Sequence, residues 1–330
     1  NLYGVKEFLK VAKKHPDIKP IIGCELYVTN HYDHTIKDSE HREYFHLILL
    51  AKNYEGYKNL MKIVSTGHIE GKYYDRPRVC HEVVEKYHEN LICLSACIAG
   101  EVPRNLIRGD KSAARKAIEW HKSLFGDDYY LEVQLHRTEV PGLTQEVYER
   151  QLVANEGIYE LASEMGIKVV ATNDVHFVRR EEGQAHDRLI CINTNTLVDD
   201  PNRKMRYTQQ EFLKSEDEMA MLFPNHPEVL ENTLEVASKI EAYSIDRGHV
   251  LYDIEPEFLK DIDTYLEKYK DIIDEGRNDK NGNYRGDEFC NSVAYLCHIT
   301  YQGAKGRYGD ELTPEQKERI RFELGTICRM

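Results

Sequence analysis

Five short runs rich in Ile, Val and Leu ("PIIGCELYV", "YFHLILLA", "NLICLSAC", "YYLEVQL" and "IKVVATND") alternate along the chain with stretches of helical apolar spacing at Tyr57 to Val64, Ala113 to Leu124, Tyr148 to Met165 and Glu182 to Ile192. Strand and helix in turn imply an α/β fold on a parallel sheet, open or closed into a barrel. Ile21, Ile22, Ile48, Leu49, Ile92, Leu94, Val169 and Val170 are the expected core strand residues. In such sheets chemistry gathers at the C-terminal ends of the strands, on the loops that follow them.

Three of the five exits carry residues able to bind a metal ion. Glu25 follows "PIIGC", Cys97 follows "LICLSA", and Asp174 with His176 follows "KVVATN". In an extended segment residues i and i+2 face the same side, so the carboxylate of Asp174 and the imidazole of His176 can converge on one point. His46 lies near the start of "YFHLILLA" rather than its exit, and fits the rule less well. Taken singly, each has an ordinary reading: a strand-edge carboxylate, a small buried thiol, a satisfied core histidine. Recurrence in four distant segments weakens all of these readings together. Oxygen, nitrogen and sulfur donors in one set suit zinc or manganese better than calcium.

With 330 residues, 41% hydrophobic and 31% charged, the chain is long enough for one large domain or two ordinary ones. No apolar run approaches the roughly 18 residues of a membrane helix, so a soluble, cytoplasmic protein is expected. Eight cysteines without a C-x-x-C pair read as reduced thiols rather than a disulfide scaffold or zinc ribbon. A formal charge of -13 argues against coating nucleic acid through the overall field. Local basic contacts are still open: Arg203, Lys204 and Arg206 in "DPNRKMRY", and Arg76 and Arg78 in "YYDRPRV".

Both ends read as cut edges. The first helical stripe (Val5, Phe8, Leu9, Ala12) starts almost at residue 1, and the last helix ends at Met330 without a stop signal. That last helix is well marked at its start by Thr313 as N-cap, Pro314 at the first helical position and Gln316 three after the cap. The stretch from about Asp253 to Gly286, rich in Asp, Lys, Asn and Gly, reads as a variable linker or insertion.

Several long segments in register carry a family resemblance: "NLYGVKEFLKVAKK", "KPIIGCELYV", "YFHLILLAKNYEGYKNLMKIVS", "YYDRPRV", "LICLSACIAGEVPR", "VVATNDVHFVRREEGQAHDRLICI", "FLKSEDEMAMLF" and "VLENTLEVA". In that order they resemble the N-terminal polymerase and histidinol phosphatase (PHP) domain of the bacterial replicative DNA polymerase III alpha subunits. "YQGAKGRYGDELTPEQKERIRFELGTICRM" resembles the start of that family's palm domain. The resemblance implies a distorted (β/α)7 PHP barrel over residues 1–248, its first strand or two missing, then a mainly helical tail over 249–330 that leads through a linker into the palm.

Carried over position by position, the family's metal ligands fall on Glu25, His46, Cys97, Asp174 and His176. The family's upstream His-x-His and Asp-His-Gly have no counterpart here. The resemblance implies DNA-directed DNA synthesis by the parent protein, with magnesium at a polymerase site beyond Met330, and metal-assisted phosphoester hydrolysis, used for 3′-5′ proofreading, at a complete PHP site holding zinc or manganese. With half of the ligands missing, this chain is expected to bind metal weakly or as a single ion and to show little nuclease activity. The implied partners are DNA, deoxynucleoside triphosphates, a proofreading exonuclease subunit and other replicase subunits, with no membrane. Two other readings stand beside this one: a stand-alone phosphatase of a small phosphate ester, which would lack the palm-like tail, and a non-catalytic partner-binding domain.

Overall fold

The computed structural model describes residues 1–29, 31–141, 143, 145–200, 203, 205–246 and 253–330. The chain divides into two compact units, Asn1–Ile245 and Asp246–Met330. All five apolar runs become strands of one sheet in the first unit. In chain order the strands are β1 (Gly23–Thr29), β2 (Phe45–Ala51), β3 (Lys72–Tyr73), β4 (Arg76–Cys80), β5 (Leu91–Leu94), β6 (Tyr129–Val133) and β7 (Val169–Ala171). They lie side by side in the order β3-β4-β1-β2-β5-β6-β7.

The sheet is mixed, not parallel as expected. β2 runs antiparallel to both neighbours, with Tyr27 opposite His46 and Ile48 opposite Leu94, and β3 is antiparallel to β4. The β1–β4, β5–β6 and β6–β7 pairs are parallel. Parallel neighbours need a long crossover, usually a helix, whereas antiparallel ones can be joined by a simple loop. The segment between Thr29 and Phe45 holds no helix among its described residues, so the chain turns back on itself there. β3 and β4 form a hairpin in "YYDRPRV", a run singled out in the sequence only for Arg76 and Arg78.

Period-two alternation splits the sheet into two faces. Leu26, Val28, Leu47, Leu49, Cys93, Leu131 and Ala171 lie on the first face, packed with Leu60 and Ile63 of helix Tyr54–Ile69, Ile118 of Lys111–Phe125, and Ile158 and Leu161 of Glu146–Met165. Leu49, Leu60, Ile63, Ile118, Leu131 and Leu161 are wholly buried, each contributing ~1.5–3 kcal/mol by area. The intervening residues Ile92, Leu94, Tyr130 and Val170, with Ile21, Ile48 and Leu50, form a smaller core on the second face against Val236 and Ile240. Ile21 and Ile22 pack as expected but precede the first strand, which begins at Gly23.

Helix starts follow their capping residues. Asn53 accepts from the Gly56 amide at 3.1 Å and Asp110 from the Ala113 amide at 2.9 Å, each satisfying an amide with no intrahelical partner. Gly56 is held to its size by a close approach: a Cβ there would sit 2.1 Å from the Asn90 carbonyl oxygen.

In the second unit, the stretch expected to be a linker contains helices Pro256–Lys260, Ile262–Lys268 and Lys270–Gly276. Phe258, Tyr269, Ile272 and Ile273 from this stretch form a core with Val293, Ala294 and Cys297 of helix Asp287–Tyr308 and Leu324 and Cys328 of helix Pro314–Arg329. The last helix starts as its sequence says: Gln316 N donates to Thr313 Oγ1 at 3.3 Å and Thr313 N to Gln316 Oε1 at 2.9 Å. The whole is a mixed α/β fold, a seven-stranded sheet flanked by helices consistent with a distorted PHP-type barrel, followed by a helical region.

Candidate functional site

The second face of the sheet changes character along its strands. At the strand starts it is apolar. Towards the exits of β6 and β7 it becomes polar: Tyr130 gives way to Glu132 and Gln134, and Val170 to Thr172 and Asp174. Glu25 and His46 lie on the same face, because Glu25 pairs with Ile48 and Tyr27 with His46 across the antiparallel ladder. The reversal of β2 also removes the difficulty with His46. The start of an antiparallel strand lies beside the exits of its neighbours, and His46 bridges to Gly100, just beyond the end of β5.

The expected ligands come together in two adjoining hollows. Glu25, His46, Asp174 and His176 line a cleft of about 530 Å³, together with Tyr27, Tyr44, Arg76 and Tyr207. Glu25 and Asp174 also line a smaller hollow of about 200 Å³ with Cys97 and Glu132. Glu25 Oε1 is 2.7 Å from His46 Nδ1, and Cys97 Sγ is 3.5 Å from the same nitrogen. The Glu25 carboxylate and the Cys97 thiol thus each approach the same nitrogen of His46.

Asp174 has φ +43, a left-handed conformation that aspartate tolerates better than most side chains. Its carbonyl oxygen lies 2.6 Å from His176 Nδ1 and accepts the proton there. That contact fixes the tautomer and leaves Nε2 as the nitrogen with a free lone pair, as in histidines whose other ring nitrogen donates to a carbonyl while this one faces a metal.

Burial and charge set the protonation of the cluster. The hydrogen bond from His46 holds the Glu25 carboxyl below its usual range against the opposing effect of burial. Burial, aided by Asp174 and Glu25, pushes the Cys97 thiol up to about 12, so it keeps its proton until a cation arrives. Asp174 is raised, first by burial and then by Glu25, with His176 opposing. The donor types fit zinc or manganese. Their present geometry is pairwise: among the described residues no three His, Cys, Asp or Glu side chains are grouped as a coordination shell.

Two contributors were missed in the sequence. Glu132 is 5% exposed, beneath Cys97 and Asp174, and ties three strand exits together. Its Oε2 accepts from the Ala96 amide at 3.1 Å, and its Oε1 from Gln134 Nε2 at 3.1 Å and from the Thr172 hydroxyl. Ala96, next to Cys97, is held at φ +64. Burial raises the Glu132 carboxyl to about 7 against these three hydrogen bonds. The signal was present in "YYLEVQL", where Tyr130, Glu132 and Gln134 share the polar face at period two. Tyr207, the other, has its ring centre 4.5 Å from that of His176 and 4.8 Å from that of His186. Burial and the nearby carboxylates push its phenol up to about 12, keeping it a neutral donor. Nothing in "KMRYTQ" marked it.

The suspected basic contacts resolve differently. Arg78 is 1% exposed, donating to the carbonyls of Ile36 and His41 at 2.7 Å each and to the Tyr32 hydroxyl at 3.1 Å. It pins the loop before β2 instead of facing solvent. Arg203 is paired with Asp187 at 2.8 Å, and Arg206 donates to the Asp200 carbonyl at 2.5 Å. Lys204 lies outside the described residues. Of the four described residues, Arg76 alone lines the cleft.

Comparison with known proteins gives the family. A family model described as "PHP domain" matches residues 1–136. DNA polymerase III subunit alpha of Borreliella burgdorferi is 38% identical over 332 aligned positions, covering 100% of this chain and 25% of the relative. The same-named protein of Treponema pallidum is 37% identical, covering 100% of the chain and 25% of the relative, and that of Thermus aquaticus 31%, covering 99% and 24%. The chain spans about a quarter of the length of the relatives it matches. It is homologous along its whole length to part of the DNA polymerase III alpha subunits, and it carries a PHP domain at its N-terminus.

Proposed function

We propose that the chain is the PHP-bearing part of a replicative DNA polymerase alpha subunit and that the cleft at the strand exits is a metal-dependent phosphoesterase site acting on the 3′ end of a nucleic acid strand. The observation that carries the reading is convergence: Glu25, His46, Cys97, Asp174 and His176, from four distant segments, face two adjoining hollows at one end of one sheet. Glu25 Oε, His46 Nδ1 and Cys97 Sγ would form one part of the metal site, and the Asp174 carboxylate and His176 Nε2 the other. Zinc or manganese held there supplies charge to polarise the phosphoryl group and to acidify water.

This chain's own residues do the rest. Cys97 holds a proton that gives way when a cation binds, so the cluster trades a proton for metal. His176 is oriented by its Nδ1 contact to the Asp174 carbonyl. Tyr207, neutral beside His176, is a hydrogen-bond donor for a phosphoryl oxygen. In the reaction a water oxygen bonds to phosphorus while the bond to the O3′ leaving group breaks. One water proton is released and the leaving oxygen is protonated, giving a nucleoside 5′-monophosphate and a shortened strand.

In the whole protein, DNA synthesis with magnesium, binding of DNA and deoxynucleoside triphosphates, contacts with a proofreading exonuclease subunit and other replicase subunits, and residence in the cytoplasm belong to the same reading. So does the start of a palm domain after residue 248. No helix among the described residues is long and apolar enough to cross a membrane. The test is zinc and manganese content together with 3′-5′ degradation of a single-stranded oligonucleotide, with and without chelator, measured on the full-length alpha subunit, because this chain by itself is expected to bind metal weakly and to cleave little. Chelator-sensitive cleavage abolished by Asp174→Asn supports the reading, and bound metal without cleavage would refute the hydrolytic part. A second reading, a non-catalytic platform for partner subunits, is favoured by the pairwise satisfaction of Glu25 with His46 and of Asp174 with His176. It predicts neither metal nor cleavage.

A further inference from the structure

The alternation that turns Glu25 and His46 into the cleft places Tyr27 and Tyr44 one step further out on the same face, two residues beyond Glu25 on β1 and two before His46 on β2. Their rings form a wall. The centroids of Tyr27 and Tyr44 are 4.8 Å apart, those of Tyr27 and His46 5.3 Å, and the Tyr44 ring is within 6° of parallel to that of His46. Arg76 closes the end of the wall: its Nη1 donates to the Tyr27 hydroxyl at 3.0 Å, with the guanidinium carbon 5.3 Å from that ring centre. Among the described residues Arg76 forms no ion pair, and it is the one arginine or lysine lining the cleft.

Charge makes that arginine matter. Glu25, Asp75 and Asp174 line the same cleft and repel a phosphodiester. Next to the expected metal ligands, Arg76 is the fixed positive charge that can receive a phosphate oxygen, and guanidinium donors suit phosphate geometry. Tyrosine faces beside a phosphate-binding cation are the usual means of holding unpaired bases, since every base presents a π-face.

We propose that Tyr27, Tyr44 and Arg76 form the subsite that holds the terminal nucleotide of a single-stranded nucleic acid, with the base on the tyrosine wall and a phosphate oxygen on Arg76. This rests on the hydrolytic reading for its purpose, and the crosslinking arm of its test is independent of hydrolysis. An oligothymidylate carrying 5-iododeoxyuridine at its 3′ end is irradiated with the intact protein, and the crosslinked peptides are identified by mass spectrometry. In parallel, KM and kcat are measured with manganese for thymidine 5′-(p-nitrophenyl phosphate) and for methyl p-nitrophenyl phosphate, which has no base.

Crosslinks to the peptides holding Tyr27 or Tyr44 are expected, reduced at least about fivefold in Arg76→Gln, and Tyr44→Ala should raise KM for the nucleotide substrate at least about fivefold, the low end for an aromatic stack. KM for the methyl ester should not move with Tyr44→Ala, and Tyr44→Phe, which keeps the ring, should restore the nucleotide KM. Crosslinks at these tyrosines without hydrolysis would uphold the subsite and overturn the hydrolytic reading. Hydrolysis with crosslinks only elsewhere, and KM unchanged in both variants, would overturn the subsite and leave the hydrolytic reading standing. Neither crosslink nor hydrolysis would overturn both.

Discussion

Replacing Glu132 by Gln should change how stability depends on pH more than it changes stability at any one pH. The carboxyl is raised to about 7 from an ordinary 4.5, with burial the largest cause. A raised folded-state value means that the group's contribution is fully present below about 4.5, where both folded and unfolded forms are protonated. It is lost as the pH rises through about 7. At about 1.36 kcal/mol per pKa unit, the wild type loses about 3 kcal/mol over that interval from this group alone. Gln carries no charge and loses none of it. At pH 4.5 the variant should be slightly less stable, by ~1 kcal/mol, because an amide must be fitted among the Ala96 amide, Gln134 Nε2 and the Thr172 hydroxyl, which now share two carboxyl oxygens. The stability difference, variant minus wild type, should therefore climb by about 3 kcal/mol between pH 4.5 and 7.5 and then level off. Urea melts of both proteins at half-unit pH steps, in chelator, would measure it. A flat difference would show that the three hydrogen bonds cancel burial, and one that falls with pH that they outweigh it and the carboxylate is the favoured form in the fold.

Four further outcomes are expected. Zinc binding measured calorimetrically at pH 7 in buffers of different ionisation heat should release one more proton from the wild type than from Cys97→Ala, because the free thiol is pushed up to about 12; equal proton counts would remove Cys97 from the metal site. Arg78→Met should raise amide exchange across residues 31–43 while leaving β5 to β7 protected, through loss of charge-assisted hydrogen bonds of ~1.5–3 kcal/mol each, and uniform exchange throughout the first unit would contradict this. Gly56→Ala should destabilise by ~1–3 kcal/mol despite alanine's helix propensity, since its Cβ would overlap the Asn90 carbonyl; a gain in denaturation midpoint would refute the contact. Thr313→Ala should cost about 1 kcal/mol of cap energy, read as earlier loss of helicity in the second unit.

What the sequence revealed and what it hid divide along physical lines. The strand positions and the ligand residues beyond the ends of β5 and β7 follow from local pattern, because an apolar run that ends in a donor is visible without knowing its neighbours; Glu25, expected at a strand exit, is instead the third residue of β1, because the apolar run before it mostly precedes the strand. The direction of β2 does not: alternation reads the same in both directions, and only the missing helix between Thr29 and Phe45 hinted at the reversal. Glu132 was hidden by its apolar neighbours, although the period of two already put it with Tyr130. Arg78 was misread because its acceptors, at Tyr32, Ile36 and His41, lie far off in sequence, and a charged side chain with unseen partners looks like surface. Residues 253–286 were misread because composition was weighed over spacing: Tyr265, Tyr269, Ile272 and Ile273 recur at helical intervals inside a polar stretch.

The reversal of β2 also bears on how the molecule assembles. Of the pairings between the longer strands, β1 with β2 joins segments closest in sequence, beginning where Val28 meets Phe45. Closing that loop loses less chain entropy than bringing β5, β6 or β7 to their partners across whole helices, so the β1–β2 pair is the natural nucleus of the sheet. Glu25 and His46 ride on it and would meet before Cys97, Asp174 or His176 are in place. Substitutions at Leu26 and Leu47 should then slow refolding, whereas those at Val170 should mainly hasten unfolding. A donor pair born with the nucleus could capture a cation while the later strands are still unpaired, which would make metal a participant in folding as well as its product.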